Sequence, residues 1–228
     1  MSLTNGEPKS MTIAIDGPVA SGKSVVGSEL ARRLGIRFLD TGMMYRAFTW
    51  KTLAMGLDET NEQAVTELAE SLVIRMERRN GRDALFVNGE DSTPHLKSAS
   101  VDRVVSHVSA VSAVRRRLVT LQRKIAEEEP IVMVGRDIGT VVLADATLKI
   151  YLRATVEVRA RRRYLEMQQR SESANYKEVE AALALRDKMD TERADSPLQA
   201  AKDAVVIDSD QLSIQQTVDK ILKLLEDR

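Results

Sequence analysis

Five short apolar runs punctuate the chain: Met11–Ile15, Arg37–Leu39, Ile131–Val134, Leu148–Leu152 and Val205–Ile207. Runs of this length and aliphatic character read as strands buried on both faces. Between them lie longer stretches whose apolar residues recur at helical spacing. Val25, Val26, Leu30 and Leu34 form one such stripe, closed by Gly35, and SIQQTVDKILKLL forms another near the end. Strands separated by helices predict β-α-β units, a parallel sheet covered on both faces, and an α/β class. One region breaks the alternation. Residues 72–91, LVIRMERRNGRDALFVNGED, hold two short β-like runs with Asn80-Gly81 between them and Asn88-Gly89 after them. Asn-Gly suits the positive φ angles of a tight hairpin turn, so a small antiparallel lobe is expected here. A passive surface hairpin fits the same pattern.

Composition narrows the class. A chain of 228 residues supports one sizeable core with a small inserted lobe. Lys+Arg and Asp+Glu both number 34, so no global charge draws the chain to nucleic acid or membrane, and any basic site must be local. The absence of cysteine excludes a disulfide framework and thiolate metal sites and is compatible with a reducing compartment. No apolar run approaches the roughly 18 residues of a membrane span. The first ten residues are polar and are expected to be a flexible leader, with Met11 as an alternative start.

The chemistry begins where the first run ends. Gly17-Pro18-Val19-Ala20-Ser21-Gly22-Lys23-Ser24 matches G-x-x-x-x-G-K-[ST], the phosphate-binding P-loop. Such a loop aims backbone N–H groups at phosphates, Lys23 reaches the β- and γ-phosphates, and Ser24 offers its hydroxyl to Mg²⁺. Alone it leaves kinases, ATPases and GTP switches open.

Four further segments add polar groups. FLDTGMMYRA (38–47) places Thr41, Tyr45 and Arg46 at the carboxyl edge of the second strand, where an arginine can grip a phosphate; an ordinary helix cap is the plain alternative. IVMVGRDIGTVV (131–142) projects Arg136 and Asp137 from a strand end. Asp137 there would orient Mg²⁺ or accept from a substrate amino group, or Arg136 would simply pair with a neighbour. On RATVEVRARRRYLEMQQR (153–170), Arg159, Arg162 and Arg163 share one helix face and Arg161 points elsewhere. That face reads either as a lid that closes over a transferring phosphate or as a solvated helix with charge pairs. On LALRDKMDTERADSPL (183–198), Arg186, Asp190 and Arg193 recur at i, i+4 and i+7, with Pro197 expected to stop the helix; a surface salt-bridge ladder is the alternative.

Taken together, IAIDGPVASGKS, LDTGMMYRA, GRDIGTVV and RDKMDTERADSPL resemble, in order and spacing, the bacterial cytidylate kinases, and the likeness runs from Met11 to the end of the chain. The resemblance implies a P-loop kinase with a five-stranded parallel sheet, a monophosphate-binding lobe carrying the small antiparallel sheet, and a short helical lid. It divides one kinase domain, 11–228, into a core (11–40, 112–153 and 196–228), the lobe (about 41–111) and the lid (about 154–195). It implies transfer of the γ-phosphate of ATP to CMP or dCMP with Mg²⁺. By position, Gly17 to Val25 would bind ATP. Thr41, Tyr45 and Arg46 would line the monophosphate pocket, Thr41 keeping the hydroxyl of the serine common there. Ser106, Arg115 and Asp137 would read cytosine, Arg136 would bind phosphate beside them, and Arg186, Asp190 and Arg193 would surround sugar and phosphate. Lys23, Arg136, Asp137 and the lid arginines Arg159, Arg162 and Arg163 would form the catalytic set.

The attacking group in such a reaction is already an anionic phosphate oxygen, so no strong general base is required. The two histidines fit that: His95 reads as surface, and His107 as packed on a helix. A cytoplasmic monomer is expected, acting on small molecules without nucleic acid or membrane. The rivals are a kinase for another small acceptor and a nucleotide-gated binding module.

Overall fold

The computed structural model describes residues 11–79, 82–170 and 173–227. The expected leader at 1–10 and the Asn80-Gly81 turn lie outside the described residues. Five parallel strands form the main sheet: β1 (Thr12–Asp16), β2 (Arg37–Asp40), β6 (Ile131–Gly135), β7 (Leu148–Arg153) and β8 (Val205–Asp208), in the order β2-β6-β1-β7-β8. Each matches an apolar run to within a residue at either end. Alternation along β1 feeds two cores. Ile13 and Ile15 pack with Val26 and Leu30 of α1 (Lys23–Leu34) and with Val218 and Ile221 of α8 (Ile214–Glu226). Ala14 faces the opposite layer, built from α2 (Thr41–Ala54), α3 (Glu62–Ser71), α4 (Ala99–Ala110) and α5 (Ser112–Glu128).

The inserted region is a three-stranded antiparallel sheet of β3 (Ile74–Arg79), β4 (Arg82–Val87) and β5 (Glu90–Asp91), one strand more than the sequence pattern suggests. Asn88 and Gly89 take φ of 50° and 84°, making the tight turn from β4 to β5. The small sheet is packed rather than splayed into solvent: Ile74, Leu85 and Val87 belong to the same apolar cluster as Met44 and Phe48 of α2. His95 is exposed and stacks on Trp50 with ring centroids 5.1 Å apart, and His107 is exposed on α4 rather than packed.

A helical pair, α6 (Val156–Gln169) and α7 (Tyr176–Glu192), has its own small apolar cluster around Ala160, Val179 and Leu183. Helix α7 ends at Glu192, five residues before Pro197, and Arg193 is extended (φ −62°, ψ 141°). Arg193 therefore does not continue the α7 face, contrary to the i+7 spacing. Among the described residues no helix is long and apolar enough to cross a membrane.

Candidate active site

Because β1 is central, its carboxyl end opens between the loops that follow β6 and β7, where ligands of open α/β sheets sit. The loop 17–24 occupies that edge. At Gly17 a Cβ would run into the carbonyl oxygen of Leu152, so the loop lies against β7 as only glycine permits. Gly22 takes φ 93° and enters α1 without a side-chain cap, leaving the first amides of that helix open toward the cleft. Lys23 is 7% exposed and its Nζ donates to the Pro18 carbonyl at 2.8 Å. Burial pushes its ammonium well below the ordinary lysine range, and the nearby guanidinium of Arg136 pushes it further. Ser24 Oγ donates to Asp40 Oδ2 at 2.6 Å, while Asp40 Oδ1 accepts from Gly42 N and so caps α2. Gly22, Lys23, Ser24 and Asp40 line a cleft of about 1220 Å³ that also takes in Val19, Ala20, Val25, Arg162, Arg163 and Ser209, while Gly17, Pro18 and Ser21 lie outside its lining.

The three lid arginines do not converge. Arg159 is buried with its donors committed: to Asp187 at 3.1 and 2.6 Å, to the Ala154 carbonyl at 3.0 Å and to the Val19 carbonyl at 3.3 Å. It ties α6 to α7 and to the phosphate loop and does not line the cleft. Arg162 reaches the Ser209 carbonyl at 2.6 Å, on the turn after β8. Arg163 donates to Asp102 of α4 at 3.0 Å, and the other oxygen of Asp102 holds Arg46 of α2. One carboxylate of α4 thus bridges α6 and α2. Glu166 pairs with Arg163 and Arg170, not with Arg162 as helical spacing allows.

Beside the cleft lies a cavity of about 60 Å³, lined by Asp40, Thr41, Tyr45, Arg46, Ser109, Arg115, Arg136, Asp137, Arg186, Asp190 and Arg193 among others. It gathers nine of the ten residues assigned to the acceptor. Ser106 is not among them; Ser109, three residues further along α4, is. Asp137 pairs with Arg115, which also donates to the Ser109 carbonyl at 3.1 Å. That places Asp137 on the acceptor side rather than beside Ser24. Arg136 Nε donates to Asp190 Oδ2 at 2.8 Å, so the simple ion pair considered for it exists, inside the cavity. Arg193 lies 3.9 Å from both Asp137 and Asp190. Asp190 is 5% exposed, which removes the surface-ladder alternative. Burial pushes its carboxyl up, but Arg136, with Arg186 and Arg193 behind it, reverses this and holds it below the usual carboxylate range. Burial and repulsion from Arg136 bring the Arg186 guanidinium down to about 10. Burial pushes the Tyr45 hydroxyl up to about 12, and its ring lies 5.4 Å from the Arg115 guanidinium. Thr41 donates to the Val134 carbonyl at 3.0 Å.

Five arginines and three aspartates line this cavity, and with Arg46 paired to Asp102 behind it the balance remains positive. Buried N–H groups of Arg186 and Arg193 have no hydrogen-bond partner. Such donors are unusual in a folded chain and mark a place for acceptor oxygens. Sequence reasoning missed the contributions of Asp16, Asp102, Asp187 and Ser209. For Asp16 a signal was visible, an acid at the end of an apolar strand; the others are set by tertiary contacts alone.

Comparison with known proteins gives a consistent picture. The sequence profile described as cytidylate kinase matches residues 13–227. The chain is 43% identical over 214 residues to the cytidylate kinase of Alkaliphilus oremlandii, covering 94% of this chain and 97% of that one. It is 44% identical over 220 residues to that of Desulfitobacterium hafniense, covering 96% and 94%. Among solved structures, an uncharacterized protein from Eubacterium ventriosum aligns with a TM-score of 0.50 at 15% identity, covering 96% of this chain and 99% of that one, a likeness of fold.

Proposed function

The chain belongs to the cytidylate kinase family, and from that premise we propose how its own residues carry out the family's reaction. The reaction is transfer of the terminal phosphate of ATP to CMP or dCMP, giving ADP and CDP or dCDP. The observation that carries the assignment is the cavity beside the phosphate loop. Its excess of arginine over aspartate suits a phosphate monoester, which bears about −1.5 to −2 at neutral pH. Its buried, unpartnered guanidinium N–H groups are the donors such a group needs.

On this reading the loop 17–25 and the open N-terminus of α1 hold the phosphates of ATP, with Lys23 moving from the Pro18 carbonyl to the β- and γ-phosphates. A phosphate oxygen of CMP attacks the γ-phosphorus, and the bond from that phosphorus to the β–γ bridging oxygen breaks, releasing ADP. The nucleophile is already anionic, so the protein's work is alignment and charge neutralisation. Arg136 stands between the two sites, close enough to Lys23 to depress its ammonium, and is the natural bridge for the transferring group. Arg46, Arg186 and Arg193 hold the acceptor phosphate. Asp137, fixed by Arg115, accepts from the cytosine amino group, and Asp190 accepts from the sugar. Base reading is assigned to Asp137 and Arg115, with Ser106 of α4 as the third member of the set.

The hard oxygen donors of Ser24 and Asp40 suit Mg²⁺. Ser24, with Asp40 behind it, would hold the ion, which supplies charge neutralisation at the phosphates when bound. Helices α6 and α7 serve as the lid (about 154–195) and bring Arg162 and Arg163 over the cleft, excluding water that would hydrolyse ATP. Arg159 acts as the lid's anchor. Residues 41–111 form the acceptor lobe on a core of 11–40, 112–153 and 196–228. We assign the enzyme to the cytoplasm as a monomer whose lid and acceptor lobe move freely.

The test is formation of ADP from ATP-Mg²⁺ with CMP, dCMP, UMP, AMP and GMP in turn. Acceptor-dependent turnover confined to the cytidine nucleotides is the expected result. ADP release indifferent to every acceptor would instead identify a nucleotide-gated switch.

A further inference from the structure

Asp16 is the last residue of β1 and is 3% exposed. Its Oδ1 accepts from the amide of Ile138 at 2.8 Å and its Oδ2 from the amide of Gly139 at 2.7 Å. These amides open a single π-helical turn, 138–142, that starts directly after Arg136 and Asp137. On its other side Asp16 is bonded through the chain to Gly17, the first residue of the phosphate loop. One buried carboxylate therefore joins the origin of the donor loop to the origin of the acceptor-reading segment. Single π-helical turns are rare and are frequent at functional sites.

The site keeps this anion against its own solvation. Burial pushes the Asp16 carboxyl up to about 6, against the pull of the Gly139 and Ile138 amides. Asp137 faces it from the loop after β6 and raises it further, and Lys23 on α1 lowers it. From β7 it feels Tyr151, and the alkyl chain of Lys149 lies beside Gly139. A raised carboxyl contributes stability that is present below its unfolded value of 3.8 and lost as pH rises through about 6. The ionised form at neutral pH is thus the less stable one, and what it provides is two acceptors in a fixed geometry.

We propose that Asp16 is a positioning residue for acceptor selection. Its two amide bonds set the π turn and thereby aim Arg136 and Asp137, so that discrimination between bases depends on a side chain that touches neither substrate. This rests on the reading above that Asp137 recognises the cytosine amino group.

The experiment compares Asp16→Asn and Asp137→Asn with the parent enzyme, measuring kcat/KM for CMP and UMP, KM for ATP and the melting temperature. An asparagine at position 16 keeps one acceptor and turns an N–H donor toward the second amide. The preference for CMP over UMP should fall about tenfold or more, the loss expected for a charged hydrogen bond, with KM for ATP within about twofold. If Asp137→Asn leaves the preference intact, the base-reading assignment itself fails. If Asp137→Asn collapses it while Asp16→Asn leaves it within about twofold, whatever the melting temperature does, Asp16 only caps a turn and the proposal is overturned.

Should Asp16→Asn not fold, the unmodified enzyme supplies the second arm. As pH falls through about 6, protonation removes one acceptor, so the Ile138 and Gly139 amide resonances should shift together and binding of uncharged cytidine should weaken. The contribution of this group to stability moves the opposite way, rising over the same interval. Cytidine affinity that is flat across that titration would overturn the proposal.

Discussion

Replacing Asp190 by alanine separates stability from catalysis. The carboxylate is 5% exposed, accepts from Arg136 at 2.8 Å and has Arg193 at 3.9 Å, with Arg186 adding to the positive field. Were it a surface pair, its loss would cost about 0–1 kcal/mol. Buried, it leaves its arginine neighbours without their counter-charge, and removing one partner of a buried pair costs about 3–5 kcal/mol. For a chain of this size that is a fall of roughly 6–20 °C in melting temperature. The same carboxylate would accept from the acceptor's sugar. Losing a charged hydrogen bond of about 1.5–3 kcal/mol should lower kcat/KM for CMP by roughly 10- to 150-fold. KM for ATP should stay within about twofold, since the phosphate loop is a separate site. Added sulfate should raise the melting temperature of the alanine variant more than that of the parent, by filling the place the carboxylate left. The assays are scanning calorimetry with and without sulfate and initial rates titrated in each substrate. A melting temperature within about 2 °C of the parent would refute the burial argument, and unchanged CMP kinetics would remove Asp190 from the acceptor site. Because its carboxyl is held below the ordinary range, the stability it confers is present above 3.8 and should be lost as pH falls below that value.

Lys23→Ala should abolish turnover without lowering the melting temperature, because a buried ammonium held well below its ordinary range costs stability at neutral pH; near-normal rates would refute its role. CMP and dCMP should exceed UMP as acceptors, since the uracil carbonyl would face the Asp137 carboxylate; equal efficiencies measured side by side would contradict this. Asp102→Asn should release Arg46 and Arg163 and tighten CMP binding about two- to fivefold by calorimetry, the worth of a partly exposed pair; weaker binding would show that Asp102 instead orients those arginines.

The strands and the phosphate-loop motif were legible because their signals are local. Apolar runs place β1, β6 and β7, and the P-loop spacing places Lys23 and Ser24 without knowledge of the rest of the fold. Asn88-Gly89 likewise announced its turn. Residues whose meaning depends on distant partners were not legible from spacing. The helical period put Arg193 on a face with Arg186, yet the chain leaves α7 at Glu192 and brings Arg193 back by an extended backbone. Three arginines of α6 share a helical face, but Asp187, Ser209 and Asp102 draw them to three places. The spacing of Asp190 fits a surface ladder as well as a site, and its burial, like that of Arg115, depends on counter-ions, Arg136 and Asp137, that arrive from the end of β6. Ser106 carries no local signal of its own, and it is Ser109, one turn further along α4, that lines the cavity.

Strand β2 ends at Asp40 and α2 begins at Thr41 with no connecting residue, and Asp40 both caps that helix and holds Ser24. On the proposed function, the spacing from Ser24 to the contacts offered by Thr41, Tyr45 and Arg46 is therefore set along a rigid rod. Thr41 and Tyr45 lie one turn apart, about 6 Å along its axis, with Arg46 next in line. Inserting or deleting a single residue between Asp40 and Arg46 would rotate the acceptor contacts by about 100° about the rod, a change that no side-chain rearrangement absorbs. The same length change in the turn between α2 and α3 would move no substrate contact. Length variation among descendants of this chain should accordingly be absent from 40–46 and tolerated at 55–61, however freely individual side chains in either segment are exchanged.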